Sequence, residues 1–183
     1  MFVTEDMVAA MATAYGQPKS ATFEFPVDQT EYRRIVNSQK DGRNHDVTMY
    51  IRKGDQIVVI AKPFYPPGLY RAPSGGLHPG EDFRIGAARE AMEETGCEIE
   101  FEKFLLRTEV CFVCSDRRID WRSFVFEASY AGGDFQFTDK REIKEVRLAS
   151  LEEFASFSQI MRASKIGGLH YRAALHDSVK ILL

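Results

Sequence analysis

Four glutamates in the middle of the chain have a spacing that suits a divalent cation. Glu90, Glu93 and Glu94 fall within one short segment, and Glu81 precedes them. On a helix, Glu90 and Glu94 lie one turn apart on the same side, so their oxygens can reach a common ion. Oxygen ligands of this kind suit Mg²⁺ or Mn²⁺. A bare Glu-x-x-Glu-Glu is, however, more typical of an ordinary charged helix face.

The sequence around these glutamates predicts a glycine-rich loop followed by a helix. Gly75, Gly76 and Gly80 permit backbone conformations that other residues disfavour. We expect the helix to span 83–95, with Asp82 as its N-cap and Gly96 as its C-terminal cap.

The predicted helix has two distinct sides at about 100° per residue. Gly86 and Ala87 share the side of the glutamates, and such small residues would leave a hollow beside the carboxylates. The other side is expected to face the core, and it comprises Ile85, Ala88, Ala91, Met92 and Thr95.

The full spacing resembles the Nudix box, G-x5-E-x7-R-E-U-x-E-E-x-G-U, where U is apolar. The matching segment runs from Gly75 to Cys97, and Arg89 stands at the position of the box arginine. Ala91 and Cys97 stand where the family usually has bulkier aliphatic residues. Because the box covers so little of the chain, it indicates the superfamily and the cation site and leaves the substrate open.

The resemblance implies an α/β/α sandwich around a mixed β-sheet. It also implies hydrolysis of a diphosphate linkage in a nucleoside diphosphate derivative, such as a nucleotide sugar, ADP-ribose or a noncanonical nucleotide. The physics agrees, because a polyanion approaches an acidic surface only when cations lie between them, and those cations also make a bound water more acidic.

Matching positions of the family gives each box residue an expected role. Glu90 and Glu94 are the first metal ligands, and the backbone carbonyl of Ser74 joins them. Glu93 is a third ligand or the holder of a metal-bound water. Arg89 and Glu81 form an ion pair that orients the loop on the helix, a role that is more structural than chemical.

The general base and the substrate contacts are less constrained. Glu142 lies on a later loop where Nudix enzymes often carry a base, while Glu145 and a box glutamate are rivals. For the rest of the substrate, the aromatic rings of Tyr65 and Tyr70 could stack on a base. Arg71 and Arg118 could meet phosphate or ribose.

The composition is that of an ordinary globular protein of one domain. The 183 residues carry a net charge of -3, which argues against binding a large nucleic acid through a basic surface. Three cysteines without a framework of spacings favour a reducing compartment, so we expect a cytoplasmic protein. No signal peptide or membrane span is evident, and no membrane partner is expected.

We divide the chain into an N-terminal extension, residues 1–46, packed on the same domain, and a Nudix hydrolase domain, residues 47–183. The extension could form the contact of a homodimer or cover the sheet of its own chain. Helices are expected at 5–14, 31–37 (capped by Thr30), from Ser150 onward, and at 169–182. Strands are expected at 21–25, 47–52, 56–61, 99–114, 121–130, around 135–137, and at 146–148, with a polar loop at 115–120.

Two other functions compete with the hydrolase. A Nudix domain can bind a nucleotide as a sensor without cleaving it, but such domains typically lose box glutamates, and this chain keeps Glu81, Glu90, Glu93 and Glu94. Isoprenoid diphosphate isomerisation on the same scaffold needs further residues that we cannot place here.

Overall fold

A computed structural model describes residues 2–183 of the chain. The helices are α1 (Glu5–Tyr15), α2 (Gln29–Ser38), α3 (Phe83–Thr95), α4 (Glu153–Ala163) and α5 (Gly167–Lys180), with a 3₁₀ turn at Lys40–Gly42. The strands are β1 (Lys19–Pro26), β2 (His45–Lys53), β3 (Gln56–Ala61), β4 (Ser74–Gly75), β5 (Cys97–Cys114), β6 (Arg117–Gly133) and β7 (Glu145–Ser150). No helix among these residues is both long and apolar enough to cross a membrane.

The strands form one mixed sheet in the order β1-β5-β6-β2-β3-β7, and β4 pairs with β2. The pairs β1 with β5 and β2 with β6 are parallel, and the others are antiparallel. Helices α1 and α3 pack on one face, where Met11, Phe83 and Phe126 belong to one buried cluster. Helices α4 and α5 pack on the other. The expected α/β/α sandwich around a mixed sheet is therefore confirmed.

Strand β3 shows why two helical layers are needed. Its side chains alternate between the two cores, with Ile57 and Val59 on the α4 and α5 side and Val58 on the α1 and α3 side. All three are 0% exposed. An apolar run without polar alternation, as in Ile-Val-Val-Ile-Ala, is stable only when both faces of the strand are covered.

The residues before β2 contribute to the same sheet. Strand β1 lies at its edge and runs parallel to β5 from Lys19 to Pro26. On α2, the carboxylate of Glu31 accepts hydrogen bonds from the backbone N–H groups of Gly167 and Gly168, at 2.7 and 3.0 Å. The two ends of the chain are therefore joined at the first turn of α5. The boundary at residue 46 stays a prediction.

Helix α3 has the predicted bounds and caps, but only part of its expected core side is buried, since Ala91 and Thr95 are 0% exposed while other members of that side are not. Asp82 accepts from the N–H groups of Arg84 and Ile85, and Gly96 adopts the left-handed conformation with φ 69°. Ile85 and Met92 are 65% and 38% exposed, whereas Glu94 is 4% exposed. The loop Ser74–Leu77 covers the glutamate side of α3. The position of this loop, and not the apolar character of the residues, therefore decides which side chains of the helix are buried.

Three local expectations differ from the structure. Helix α2 is capped by Asp28 instead of Thr30. Residues 115–120 form a tight hairpin turn and the start of β6, because Ser115 adopts a positive φ of 57° that closes the turn early. Within the described residues, Phe135 to Phe137 form no strand, and their loop is attached to α3 instead.

Candidate active site

The glycine-rich loop is held directly against the acidic side of α3. Strand β4 pairs with β2, which fixes Ser74 and Gly75 beside the helix. A Cβ atom on Gly75 would lie 2.0 Å from Oε2 of Glu90. Only glycine allows this approach, so the loop and the glutamate form one unit.

Arg89 connects the carboxylates of this unit. Its guanidinium donates to both oxygens of Glu81 at 2.9 Å and to the carbonyl of Gly76 at 3.2 Å. It also contacts Glu90 and Glu93, each at 3.1 Å. The hydrogen bonds from Arg89 lower the pKa of Glu81 to about 2. The predicted pair of Arg89 and Glu81 is thus present in the structure, and it fixes the loop to the helix.

Glu94 lies deepest of the four glutamates. Its Oε2 accepts from the backbone N–H of Ser74 at 2.8 Å. Its Oε1 lies 3.8 Å from a guanidinium nitrogen of Arg71 and 3.9 Å from Nζ of Lys62, which is too far for a hydrogen bond. Burial raises the pKa of Glu94, and the two cations offset this only in part.

Like Glu94, Glu90 has one carboxylate oxygen that accepts hydrogen bonds and one that does not. Oε1 accepts from the N–H of Gly76 at 3.2 Å and from Arg89 at 3.1 Å, while no donor among the described residues reaches Oε2. Burial again raises the pKa of Glu90. Two neighbouring carboxylates therefore each present one oxygen without a hydrogen bond.

These carboxylates line a cleft of about 520 Å³. Within residues 2–183, no three His, Cys, Asp or Glu side chains converge closely enough to hold a metal by themselves. Any ion here would need further ligands from backbone, water or substrate.

Glu142 lies at the rim of this cleft, whereas Glu145 does not line it. The ammonium of Lys62 lies 2.5 Å from Glu142 and lowers the pKa of that carboxyl, so Glu142 is ionised at neutral pH. Glu145 instead accepts a hydrogen bond from the hydroxyl of Tyr70 at 2.8 Å. The loop of Glu142 is attached to α3, because the carbonyl of Glu93 accepts from the N–H groups of Thr138 and Asp139.

The cleft is also lined by cationic side chains that the sequence analysis mostly missed. Only Arg71 was expected there. Arg172 of α5 reaches the cleft and donates to Asp46 at 2.7 Å and Thr48 at 3.0 Å. These cations come from four separate parts of the chain, so no local motif points to them, and they are Lys40, Arg43, Lys62, Arg71 and Arg172.

The other expected substrate contacts are dispersed. The hydroxyl of Tyr65 accepts from Nε of Arg71 at 2.7 Å, behind the cleft. The ring of Tyr70 lies under the guanidinium of Arg147, at 4.1 Å. Arg118, at the β5–β6 hairpin, pairs with exposed Glu24 at 2.6 Å. Tyr65, Tyr70 and Arg118 do not line the cleft, and their roles in substrate binding stay predictions.

Comparison with known proteins agrees with the geometry. The family model described as the NUDIX domain matches residues 42–166. The chain belongs to the NUDIX family. The family assignment made from the box is confirmed, and the match extends over most of the chain.

Curated relatives of this NUDIX protein are considerably longer than the matched part. It is 29% identical over 97 residues to the NAD-capped RNA hydrolase NudC of Stutzerimonas stutzeri, covering 53% of this chain and 33% of that protein. It is 36% identical over 55 residues to Nudix hydrolase 25 of Arabidopsis thaliana, covering 30% and 31%. The matched segments thus span about a third of each relative's length.

Solved structures share the NUDIX fold. A NUDIX hydrolase from Nitrosomonas europaea superposes with a TM-score of 0.52 at 20% identity, covering 72% of this chain and 88% of that one. A UDP-X diphosphatase gives a TM-score of 0.51 at 17% identity, covering 80% and 72%. At these identities the likeness establishes the fold alone.

Proposed function

We propose that this NUDIX protein hydrolyses a diphosphate linkage in a nucleoside diphosphate derivative, using a divalent cation. The observation that carries the proposal is the pair of oxygens on Glu90 and Glu94 that lack a hydrogen bond. Both line a cleft that is also lined by cationic side chains. A substrate rich in phosphate oxygens complements such a cleft, since cations on either side can neutralise it.

The residues present fit Mg²⁺ or Mn²⁺. Glu90 and Glu94 supply hard oxygen ligands, burial raises the pKa of both carboxyls, and a bound cation would stabilise their ionised forms. The carbonyl of Ser74 would complete the protein's share, and Glu93, whose carboxylate contacts Arg89 at 3.1 Å, would hold a water of that ion. When bound, such an ion polarises phosphoryl oxygens and increases the acidity of a bound water.

The chain's own side chains then have distinct tasks. Arg71 and Lys62, next to Glu94, bind and orient the diphosphate. Arg89 keeps the loop and the box glutamates in position. Glu142 accepts the proton of the attacking water, because it is ionised, lies at the cleft and is held by Lys62.

The substrate class rests on the cleft and on the family. The proteins to which this chain is similar include a NAD-capped RNA hydrolase and a UDP-X diphosphatase. A nucleoside diphosphate joined to a second group is common to both, so we propose nucleotide sugars, ADP-ribose and related dinucleotides as the substrate panel. The cysteines of the described residues are free thiols, which supports a location in the cytoplasm.

The test is release of nucleoside monophosphate from this panel with Mg²⁺, compared between wild type and Glu94→Gln. Loss of one metal ligand removes several kcal/mol of transition-state stabilisation, so we expect kcat/KM to fall by about 10²- to 10³-fold. Equal activity of the two proteins would disprove the ligand assignment. Tight nucleotide binding by wild type without turnover would show a sensor instead.

The assignment of the base has a matched control. Glu142→Gln should lower kcat by about 10²-fold or more while the binding of Mg²⁺ is retained. Glu145→Gln removes a carboxylate three residues away that does not line the cleft, and it should leave kcat unchanged. The reverse result would assign the base to Glu145.

A further inference from the structure

A second cavity of about 220 Å³ lies beside the catalytic cleft. It is bounded by α2, by the loop between β3 and β4, and by the beginning of α5. Its lining includes apolar and aromatic side chains, among them Ile35, Phe64, Tyr65 and Leu169. Charged residues line most of the rest of it, so the cavity combines an apolar part with a charged part, whereas most residues that line the cleft are charged.

The cavity and the cleft share part of their lining. Lys62, Arg71 and Arg172 line both spaces. A ligand whose phosphates lie among these cations can therefore extend its other end into the cavity. Such a ligand needs an anionic part and an uncharged part that are directly linked.

The walls of the cavity are held in place before any ligand binds. Arg71 is 4% exposed and donates to the hydroxyl of Tyr65, the carbonyl of Ala72 and the hydroxyl of Ser74, at 2.7, 2.7 and 2.9 Å. On the other side, Glu31 holds α2 against the first turn of α5. Preorganised walls reduce the ordering cost of binding.

Phe64 is an exposed aromatic ring at this cavity. It is 59% exposed, so most of its surface contributes nothing to the core. Its ring meets Tyr65 edge to face at 5.1 Å, and the guanidinium of Arg34 lies 5.7 Å from its centroid. A planar heteroaromatic ring can stack on such a face, and a neighbouring guanidinium adds to the interaction.

We infer that this cavity binds the nucleobase of the substrate, with Phe64 as the stacking platform. The inference rests on the proposed function, since it places one part of a nucleoside diphosphate derivative in the cavity and the diphosphate in the cleft. A nucleobase fits both observations, because it is planar, uncharged and linked to phosphate through one sugar.

The test uses two probes that resist hydrolysis, α,β-methylene-ADP and methylenediphosphonate, which has no base. Dissociation constants are measured calorimetrically with Mg²⁺ for wild type and Phe64→Ala. Stacking contributes about 1–3 kcal/mol per base, so Phe64→Ala should weaken binding of α,β-methylene-ADP about 5- to 150-fold. Binding of methylenediphosphonate should not change.

Two further variants separate stacking from a fault in folding. Phe64→Trp keeps an aromatic face and should bind α,β-methylene-ADP at least as tightly as wild type. Val36→Ala, at a 43% exposed position on α2 that does not line the cavity, should bind both probes like wild type.

Several outcomes would overturn the inference. Unchanged binding of α,β-methylene-ADP by Phe64→Ala, or equal weakening of both probes, contradicts a base site at Phe64. A dimer that Phe64→Ala dissociates without loss of affinity would assign the ring to a second copy of the chain. If neither probe binds wild type with Mg²⁺, the proposed function fails together with the inference. Mg²⁺-dependent turnover that is insensitive to Phe64 overturns the inference alone.

Discussion

Two carboxylates in the same cleft, Asp46 and Glu94, are almost equally buried, but their pKa values are shifted in opposite directions. Asp46 is 5% exposed and accepts from Arg172 at 2.7 Å and from the indole of Trp121 at 3.1 Å. Burial alone would raise its pKa, but the charge of Arg172 and these hydrogen bonds outweigh it, so the pKa of Asp46 is lowered. At Glu94, by contrast, the effect of burial outweighs that of the nearby cations, so the pKa of Glu94 is raised.

The difference separates a structural carboxylate from one available to a ligand. Arg172 neutralises the charge of Asp46 at 2.7 Å, and this ion pair holds α5 to β2. Glu94 has two cations nearby, but at 3.8 and 3.9 Å, and one oxygen has no hydrogen bond. An incompletely paired buried charge is costly for stability, and such costs are concentrated at functional sites.

The largest expected effect is on stability. Asp46→Asn removes one partner of a buried ion pair and leaves Arg172 without its charge partner, which costs about 3–5 kcal/mol. Glu94→Gln keeps an acceptor for the N–H of Ser74 and breaks no close ion pair, so its free energy of unfolding should change by less than about 1 kcal/mol. Denaturant titrations of both proteins without metal measure the contrast, and equal losses would refute it.

The second effect is stabilisation by the cation itself. Mg²⁺ at 100 times its dissociation constant should raise the free energy of unfolding of wild type by about 2.7 kcal/mol, because only the folded state holds the site. Glu94→Gln should show little of this increase at the same concentration. Thermal unfolding with and without Mg²⁺ gives the comparison, and an equal rise in both proteins would point to a site elsewhere.

A third prediction compares Arg89, which contacts the box glutamates, with Arg172, which pairs with Asp46. Arg89→Lys cannot reproduce the forked contacts to Glu81, Glu90 and Glu93, so turnover should fall about 10- to 100-fold through misplaced ligands. The fall should appear as weaker Mg²⁺ dependence, together with a smaller loss of stability, because the hydrogen bonds that lower the pKa of Glu81 are disturbed. Arg172→Lys should mainly lower the free energy of unfolding. Steady-state kinetics across Mg²⁺ concentrations and denaturant titrations measure the two effects. The prediction is wrong if Arg172→Lys mainly lowers turnover and Arg89→Lys mainly lowers the free energy of unfolding.

The smallest effect is in the pH dependence of stability without metal. The pKa of Glu94 is raised above 4.5, so its contribution is complete below that pH and is lost as the pH rises through the raised value. The pKa of Asp46 is lowered below 3.8, so its contribution is present above that pH and is lost as the pH falls further. Glu94→Gln should therefore gain stability relative to wild type as the pH rises to about 7.

The matching acid-side measurement is made on Asp46→Asn. This variant should lose less stability than wild type as the pH falls below 3.8, because the carboxylate that must be protonated is absent. Unfolding curves across the acidic and neutral range would show the two slopes. Slopes of the same sign would contradict the assigned pKa directions.

Local signals predicted the elements that depend on neighbouring residues. The helix from Phe83 to Thr95 has both expected caps, because an N-cap carboxylate and a C-terminal glycine act within one turn. The same reasoning was only partly right for the sides of that helix, because Ala91 and Thr95 are buried as expected. Ile85 lies outside and Glu94 inside, because the position of the loop Ser74–Leu77 decides which side is covered.

Long-range contacts could not be predicted. The cap that Glu31 provides for α5 joins residues 136 and 137 positions apart in the chain. The cations that line the cleft likewise come from separate parts of the chain, as Arg43, Lys62 and Arg172 do. No spacing in the sequence encodes such neighbours, since they depend on the order of strands in the sheet.

The sequence by itself determined the family, the helix with its caps and the carboxylates that could hold a cation, because each of these is written in short, ordered spacings. The tertiary structure decided which carboxylate is closed by an ion pair and which remains available. It also decided that an aromatic cavity opens beside the cleft. The physical reason is that burial and pairing are properties of the space around a side chain, and distant segments create that space only when the chain folds.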